Sequence, residues 1–282
     1  MPETEIAEAK ETALVQGAVS FEDDAGAGFE EADRDSFAIP FLRILQKMSP
    51  QLDETKGEYI EDARAGEFFD NVLEETFEGK ETGVNLVPCH YRRVFVEWKK
   101  REDGGGFVAE YPPEEGVELL KKCERDEKNR DILQTTGNQL VDTRIHYVLR
   151  VDENMATHPC VVTMSSTQQK KSKRWMTQMQ NLLKKRKDGQ LYNPAMFASV
   201  FKCTTVPESN DQGSWSGWKI AHLRFLDEES ADDQRIYQTA RAFRDAVKSG
   251  AATVQHDMDE PSGGTVSGAG SYDDEEGDVP GF

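Results

Sequence analysis

The chain has 282 residues, with 53 acidic against 34 basic side chains and a formal net charge of −19. That length buries a self-sufficient core, so neither disulfides nor metals are needed to hold it. The overall charge argues against a nucleic-acid partner only until it is counted by segment. Met1 to Ser36 carries eleven acids and two bases, and Asp257 to Phe282 carries eight acids and no base, whereas Phe37 to His256 holds 34 acids and 32 bases.

Residues 1–36 are acidic and rich in Ala and Gly, with too little apolar bulk to offset the entropy of ordering them, and read as a disordered arm. Glu3, Glu5, Glu8 and Glu11 are the opposite of a signal peptide's basic start, and nowhere do eighteen apolar residues run together. A soluble, cytoplasmic protein with no membrane partner is expected.

The core, residues 37–250, opens with Phe37, Ile39, Phe41, Leu42, Ile44 and Leu45 around Pro40, a short helix or strand. From Gly83 to Lys99 the chain alternates. Val84, Leu86, Val94, Val96 and Trp98 fall on one parity, and Tyr91, Arg93 and Phe95 on the other, giving one long strand or two broken at Pro88. Gly104-Gly105-Gly106 marks a turn, and Phe107 to Tyr111 returns as the hairpin partner. Glu114 to Lys128 reads as a surface helix. Arg144 to Asp152, Cys160 to Ser165, Met196 to Val206 and Trp215 to Phe225 are β-like runs. Ser165 to Lys187 reads as an amphipathic helix through Trp175, Met179, Leu182 and Arg186. Glu228 to Lys248 reads as a last helix ended by Gly250. Residues 251–282 are Gly, Ser and acid, and read as a disordered tail. The sum is a mainly β chain with helices, α+β in class, and suits an elaborated OB-like β-barrel with an inserted basic helix. A mixed α+β sheet would give similar strings.

Between Asn154 and Pro207 the one acid is Asp188, against nine bases. Lys170, Lys171, Lys173, Arg174, Lys184, Lys185, Arg186 and Lys187 repel one another, and a polyanion is the simplest reason to keep them. They are interleaved with Trp175, Tyr192, Phe197 and Phe201. A single-strand groove needs such cations for phosphates and such rings for bases. The ordinary alternative puts Trp175 and Met179 in the core. A second surface is the strand bearing Tyr91, Arg93 and Phe95, with Arg92, Lys99, Lys100 and Arg101 nearby. Arg144, His146 and Arg150 share a parity that extends it. Here too the alternative is that Tyr91 and Phe95 point inward. Trp98 reads as core, and Trp215 and Trp218 as a plug or a base-stacking loop.

No catalytic constellation stands out. The glycine triplet lacks a P-loop's Lys-Ser/Thr, no His-Glu-x-x-His occurs, and Asp232-Asp233 falls at a helix start where acids suit the dipole. Cys89, Cys123, Cys160 and Cys203 include no Cys-x-x-Cys pair and read as free thiols. No enzyme, metal or cofactor is expected.

The tail, Tyr272-Asp273-Asp274-Glu275-Glu276-Gly277-Asp278-Val279-Pro280-Gly281-Phe282, joins five acids to a terminal aromatic carboxylate. It resembles the end of bacterial single-stranded DNA-binding proteins, an acidic run followed by Ile-Pro-Phe, and of the replication single-stranded DNA-binding proteins of short-tailed phages. Gly281 between Pro280 and Phe282 departs from the bacterial form. Ala38-Ile39-Pro40-Phe41-Leu42-Arg43-Ile44-Leu45-Gln46, Val96-Glu97-Trp98, Gln169-Lys170-Lys171-Ser172 and Thr205-Val206-Pro207-Glu208-Ser209-Asn210 are similar to phage-encoded members of that DNA-binding group. The resemblance implies an OB-like core acting in replication or recombination in the infected host's cytoplasm. It also implies that Asp273, Asp274, Glu275, Glu276, Asp278 and Phe282 recruit replication proteins such as a polymerase, helicase or primase. A homodimer is left open. The competing expectation is a phage structural or assembly protein whose basic segment meets DNA or an acidic subunit.

Overall fold

The computed structural model describes residues 22, 24–32, 36–100, 104–211 and 213–252, in two compact units that divide between Phe37 and Ala38. The described part of the first is mostly turns. Arg101, most of the acidic arm and the acidic tail lie outside the described residues.

The second unit is built on an antiparallel sheet of eight strands. Its spine is β4 (Val84–Trp98) paired along its length with β8 (Gln139–Val151). At one end β4 also pairs with β12 (Ser199–Asn210), which carries β13 (Gly213–Phe225). At the other end it pairs with β5 (Phe107–Tyr111), the expected hairpin return. The far edge of β8 takes β9 (Thr157–Ser165) and β7 (Asp131–Leu133), and β7 carries β6 (Cys123–Arg125). A separate small sheet joins β1 (Leu42–Ile44), β2 (Phe68–Asp70) and β3 (Glu75–Phe77). A two-residue hairpin pairs β10 (Lys184–Lys185) with β11 (Leu191–Tyr192). Among the described residues three α-helices complete it: α1 (Pro113–Leu120), α2 (Gln169–Asn181) and α3 (Ala231–Lys248).

The mainly β, α+β class is as expected, but the OB-like barrel does not close. Among the described residues β13 pairs with β12 alone, and the outer edge of β9 meets one parallel bridge, Val161 with Phe41, instead of a closing strand. Two expected helices are shorter. Residues beyond Lys121 turn into β6, whose pairing with β7 competes successfully with a weakly apolar helix. The helix expected to reach Lys187 stops at Asn181, because Leu182 is already extended, with φ −71° and ψ 126°.

Both faces of the sheet are covered, since residues of alternate parity on a strand point to opposite sides. On one side Leu86, Val148, Val162 and Phe201 pack against Trp175 and Met179 of α2 and Leu42 and Phe68 of the small sheet. On the other, Val87, Leu149 and Val200 pack against Ile236 and Ala240 of α3. Each such side chain contributes roughly 1.5–3 kcal/mol of burial. A bulge between Pro88 and His90 shifts the register of β4 on β8. Leu86 and Pro88 therefore share a face with Tyr91, Arg93 and Phe95, against the single parity that sequence alternation gave Val84, Leu86 and Val94.

Candidate nucleic-acid interface

The strand row lies on one face, as expected, because Tyr91 pairs with His146 and Arg93 with Arg144 across β4 and β8. Tyr91 is half-buried, its ring 5.2 Å from that of His146. Arg93 grips Asp142 with two hydrogen bonds, at 3.1 and 2.8 Å, and Arg144 donates to the same carboxylate. Two guanidiniums on one carboxylate leave the cluster cationic beside Tyr91. Phe95 is a correction. It is fully buried with Leu133 and Leu140 beneath α1, where a Cβ on Gly116 would collide with its ring, so it presents no face to a base. Arg144 and Arg150 are also buried rather than part of an open positive face, Arg150 with its guanidinium 4.2 Å over the Phe77 ring. Arg92 lies on the opposite side of the sheet, paired with Glu110 at 2.6 Å. Lys99 and Lys100 follow the end of β4, Lys99 exposed. Trp98 is core, as expected.

Helix α2 is held by its underside, where Ser172, Trp175 and Met179 recur at helical spacing and are buried. Trp175 is the second correction. Its indole stacks on His146 at 4.6 Å and meets Phe201 edge-on at 5.6 Å, wholly inside the core. His146 completes the seat through Nε2, 2.8 Å from Ser172 Oγ, and burial pushes its pKa down to about 3, so it is neutral at ordinary pH. The upper face carries Lys170, Lys173 and Arg174, all exposed. Lys171 pairs with Glu208. Burial opposes the ionisation of that glutamate, yet hydrogen bonds from Lys171, Gln168 and Trp215 hold it below the ordinary carboxylate range. No side chain caps the start of α2 and no acid lies in its first turn. Two cations, Lys170 and Lys171, thus lie in the first turn at the positive end of the helix, each unfavourable by about 0.3–1 kcal/mol. Among the described residues, Lys170 and Arg174 pair with no carboxylate.

Between α2 and β13 runs a groove rimmed by Lys171, Arg174, Gln178 and Lys219, with Trp218 and Ile220 at its base. Trp218 is buried against Phe68, ring centroids 4.9 Å apart, as a core residue rather than the plug of a barrel end, because no barrel closes. Lys219 and Gln178 escaped sequence reading, because only strand pairing and helix placement bring them to the same groove.

Lys184 to Lys187 lie on the β10–β11 hairpin rather than on a helix. Lys184 turns inward, 3.2 Å from Glu228 and 5.6 Å from the centre of the Phe225 ring. Arg186 lies over the Tyr192 ring at 5.0 Å. Lys185, Arg186 and Lys187 are exposed and meet no carboxylate among the described residues. The base of the hairpin is tied to α2 by Asn193, whose Nδ2 donates to the carbonyls of Met179, Gln180 and Leu182 at 2.9–3.0 Å. A helix end leaves such carbonyls short of partners, and that of Met179 accepts in addition from the Leu182 amide at 3.4 Å. Asp273, Asp274, Glu275, Glu276, Asp278 and Phe282 lie outside the described residues. Among the described residues no helix is long and apolar enough to cross a membrane.

Residues 9–253 match the family model of the Pam3 phage gp34-like protein, and the chain belongs to that family. No curated protein and no solved structure matches it.

Proposed function

We propose that this member of the Pam3 phage gp34-like protein family binds single-stranded DNA across α2, the β10–β11 hairpin and the Tyr91 side of the sheet. One observation carries the reading: cations are massed on α2 and the hairpin at a cost to the helix itself, and five of them, Lys170, Arg174, Lys185, Arg186 and Lys187, meet no carboxylate among the described residues. Phosphates would supply the missing counter-charge, releasing condensed counterions as they bind. The half-exposed ring of Tyr91 beside the Arg93–Asp142–Arg144 cluster offers a place for a base to stack. A closed OB-like barrel is not required, since an open sheet crossed by a basic helix provides both kinds of contact. In this reading the protein catalyses nothing. It coats strands during phage replication or recombination in the host cytoplasm, and the acidic tail ending in Phe282 recruits replication proteins.

Anisotropy titrations with labelled oligo-dT and with a duplex of equal length test this directly. A single-strand preference of tenfold or more, with log affinity falling about 0.7 per phosphate neutralised against log salt, is expected. Equal binding to both forms would favour a packaging or assembly role, and binding to neither would end the reading.

A further inference from the structure

The hairpin has two unlike sides. Lys184 and Tyr192 pair across it and face the body of the protein, where Lys184 meets Glu228 and Phe225. Lys185 and Leu191 pair at the next position, and directly opposed residues of an antiparallel pair share a face. Leu183 lies two residues before Lys185, at the entry to the hairpin. Both leucines are open to solvent: Leu183 is 52 % and Leu191 64 % exposed, among the most exposed large apolar residues described. Isolated surface leucines need no explanation, but these two flank a lysine on a two-residue hairpin.

The hairpin is also held firmly. The triple donation from Asn193 fixes its base to α2, Arg186 packs on Tyr192, and the turn is closed by Arg186 and Gln190 through a 2.8 Å backbone hydrogen bond. Its one acid, Asp188, is engaged with the amide of Gln190 at 2.9 Å. A preformed apolar face bordered by cations without carboxylate partners matches one kind of surface well, bases beside phosphates.

We propose that the outward face of this hairpin, Lys185 and Leu191, with Leu183 at its entry, is a base-contacting wedge that lets the protein distinguish single strands from duplex. The inference rests on the DNA-binding reading above and specifies how its strand preference arises. Apolar side chains, leucine among them, insert against base faces in other nucleic-acid complexes; in a duplex this costs about a few kcal/mol of unstacking per step, a cost that unpaired bases largely avoid. Phosphate contacts by Lys185, Arg186 and Lys187 give affinity for either form, whereas the leucines add most where no base step has to be unstacked.

The test uses the full chain carrying Leu183→Ser and Leu191→Ser together, titrated with oligo-dT and with duplex, alongside thermal melting. Both leucines are exposed, so melting should be unchanged. Affinity for oligo-dT should fall about tenfold, equivalent to ~1.4 kcal/mol, with duplex affinity and the salt slope unaltered. A second variant, Leu191→Trp, places an indole on the same face, and its fluorescence should be quenched by oligo-dT and not by duplex. If the unaltered protein prefers oligo-dT and both variants behave like it, with no quenching, the wedge is wrong while the DNA-binding reading stands. An equal loss on both nucleic acids likewise overturns it. A protein that binds neither form fails the underlying reading instead. Unchanged DNA binding with lost capture of an acidic, apolar peptide would assign the face to a protein partner and overturn the proposal.

Discussion

Helices α2 and α3 lie on opposite faces of one sheet, and they solve the electrostatics of a helix in opposite ways. Helix α3 begins with Ser230, whose side chain accepts from the Asp233 amide, carries Asp232 and Asp233 in its first turn, and ends with Lys248 and Gly250 at φ 74°. Three of its charged pairs close within the fold, Asp233 with Arg224 at 2.5 Å, Arg235 with Asp232 at 3.0 Å and Arg244 with Asp245 at 2.6 Å. Helix α2 has no capping side chain and no acid in its first turn, and it sets Lys170 and Lys171 there with Lys173 and Arg174 just beyond, Lys171 alone of the first pair meeting a carboxylate, Glu208. One helix is completed by its own chain. The other is secured from below by Trp175 and carries Lys170 and Arg174 on top, which meet no carboxylate among the described residues.

That contrast fails if α2 owes little to its underside. Trp175→Ala should therefore cost about 3–5 kcal/mol of stability, as for other buried aromatics, and lower the melting temperature before any effect on DNA is considered. A loss under 1 kcal/mol would show that the seat is not where α2 is held. Changing Lys170, Lys171, Lys173 and Arg174 together to Ala should do the reverse. We expect affinity for oligo-dT to fall on the order of a hundredfold at low salt, with a flatter salt slope. Melting should change little, because removing the repulsion and the unfavourable dipole contacts offsets the lost Lys171–Glu208 pair. A melting temperature that fell sharply would mean those cations are structural.

The seat of α2 also has a pH signature that α3 lacks. His146 titrates near 6.5 when unfolded and near 3 when buried against Trp175. Between those values the unfolded chain holds a proton that the folded one does not, so stability is lost as pH falls through that window. The slope reaches about 1.4 kcal/mol per pH unit and vanishes above about pH 7. Melting curves from pH 7 to 4 should show it, and His146→Gln should flatten it. Asp233 behaves otherwise. Its hydrogen bond with Arg224 holds it below the usual carboxylate range, so its contribution persists until the pH falls below the ordinary aspartate value. The smallest expected effect is at the cap of α3, where Ser230→Ala should cost about 1 kcal/mol of stability and leave DNA affinity alone.

Much of this arrangement was legible in sequence because its signals are periodic. The burial of Met179, the long runs of β4, β8, β9, β12 and β13, and the stop at Gly250 all follow from spacing or turn chemistry. Strands β2, β3, β6, β7, β10 and β11 have three residues or fewer, too short to show a period. The basic run Lys184 to Lys187 continues a helical pattern on paper, and only Asn193, which reaches back eleven to fourteen residues, shows why the helix ends before it. For Phe95 and Trp175, an aromatic beside basic residues reads alike whether it faces a base or a core. What decided between them was a glycine in α1 and a histidine on β8, neither of them near in sequence.

The bulge at Pro88 and His90 acts on β4 much as a frameshift acts on a message. Before it, even-numbered residues face α2; after it, odd-numbered ones do. Deleting Cys89 would restore a single phase through the strand. Tyr91 and Arg93 would stay on the α2 side, whereas a regular strand that kept Cys89 would carry them to the α3 side and bring Arg92 into their place. Relatives aligned through this strand by hydrophobic alternation alone would be matched inside out on one side of the bulge. The identity of the cationic face is thus set by one extra residue in a strand of fifteen.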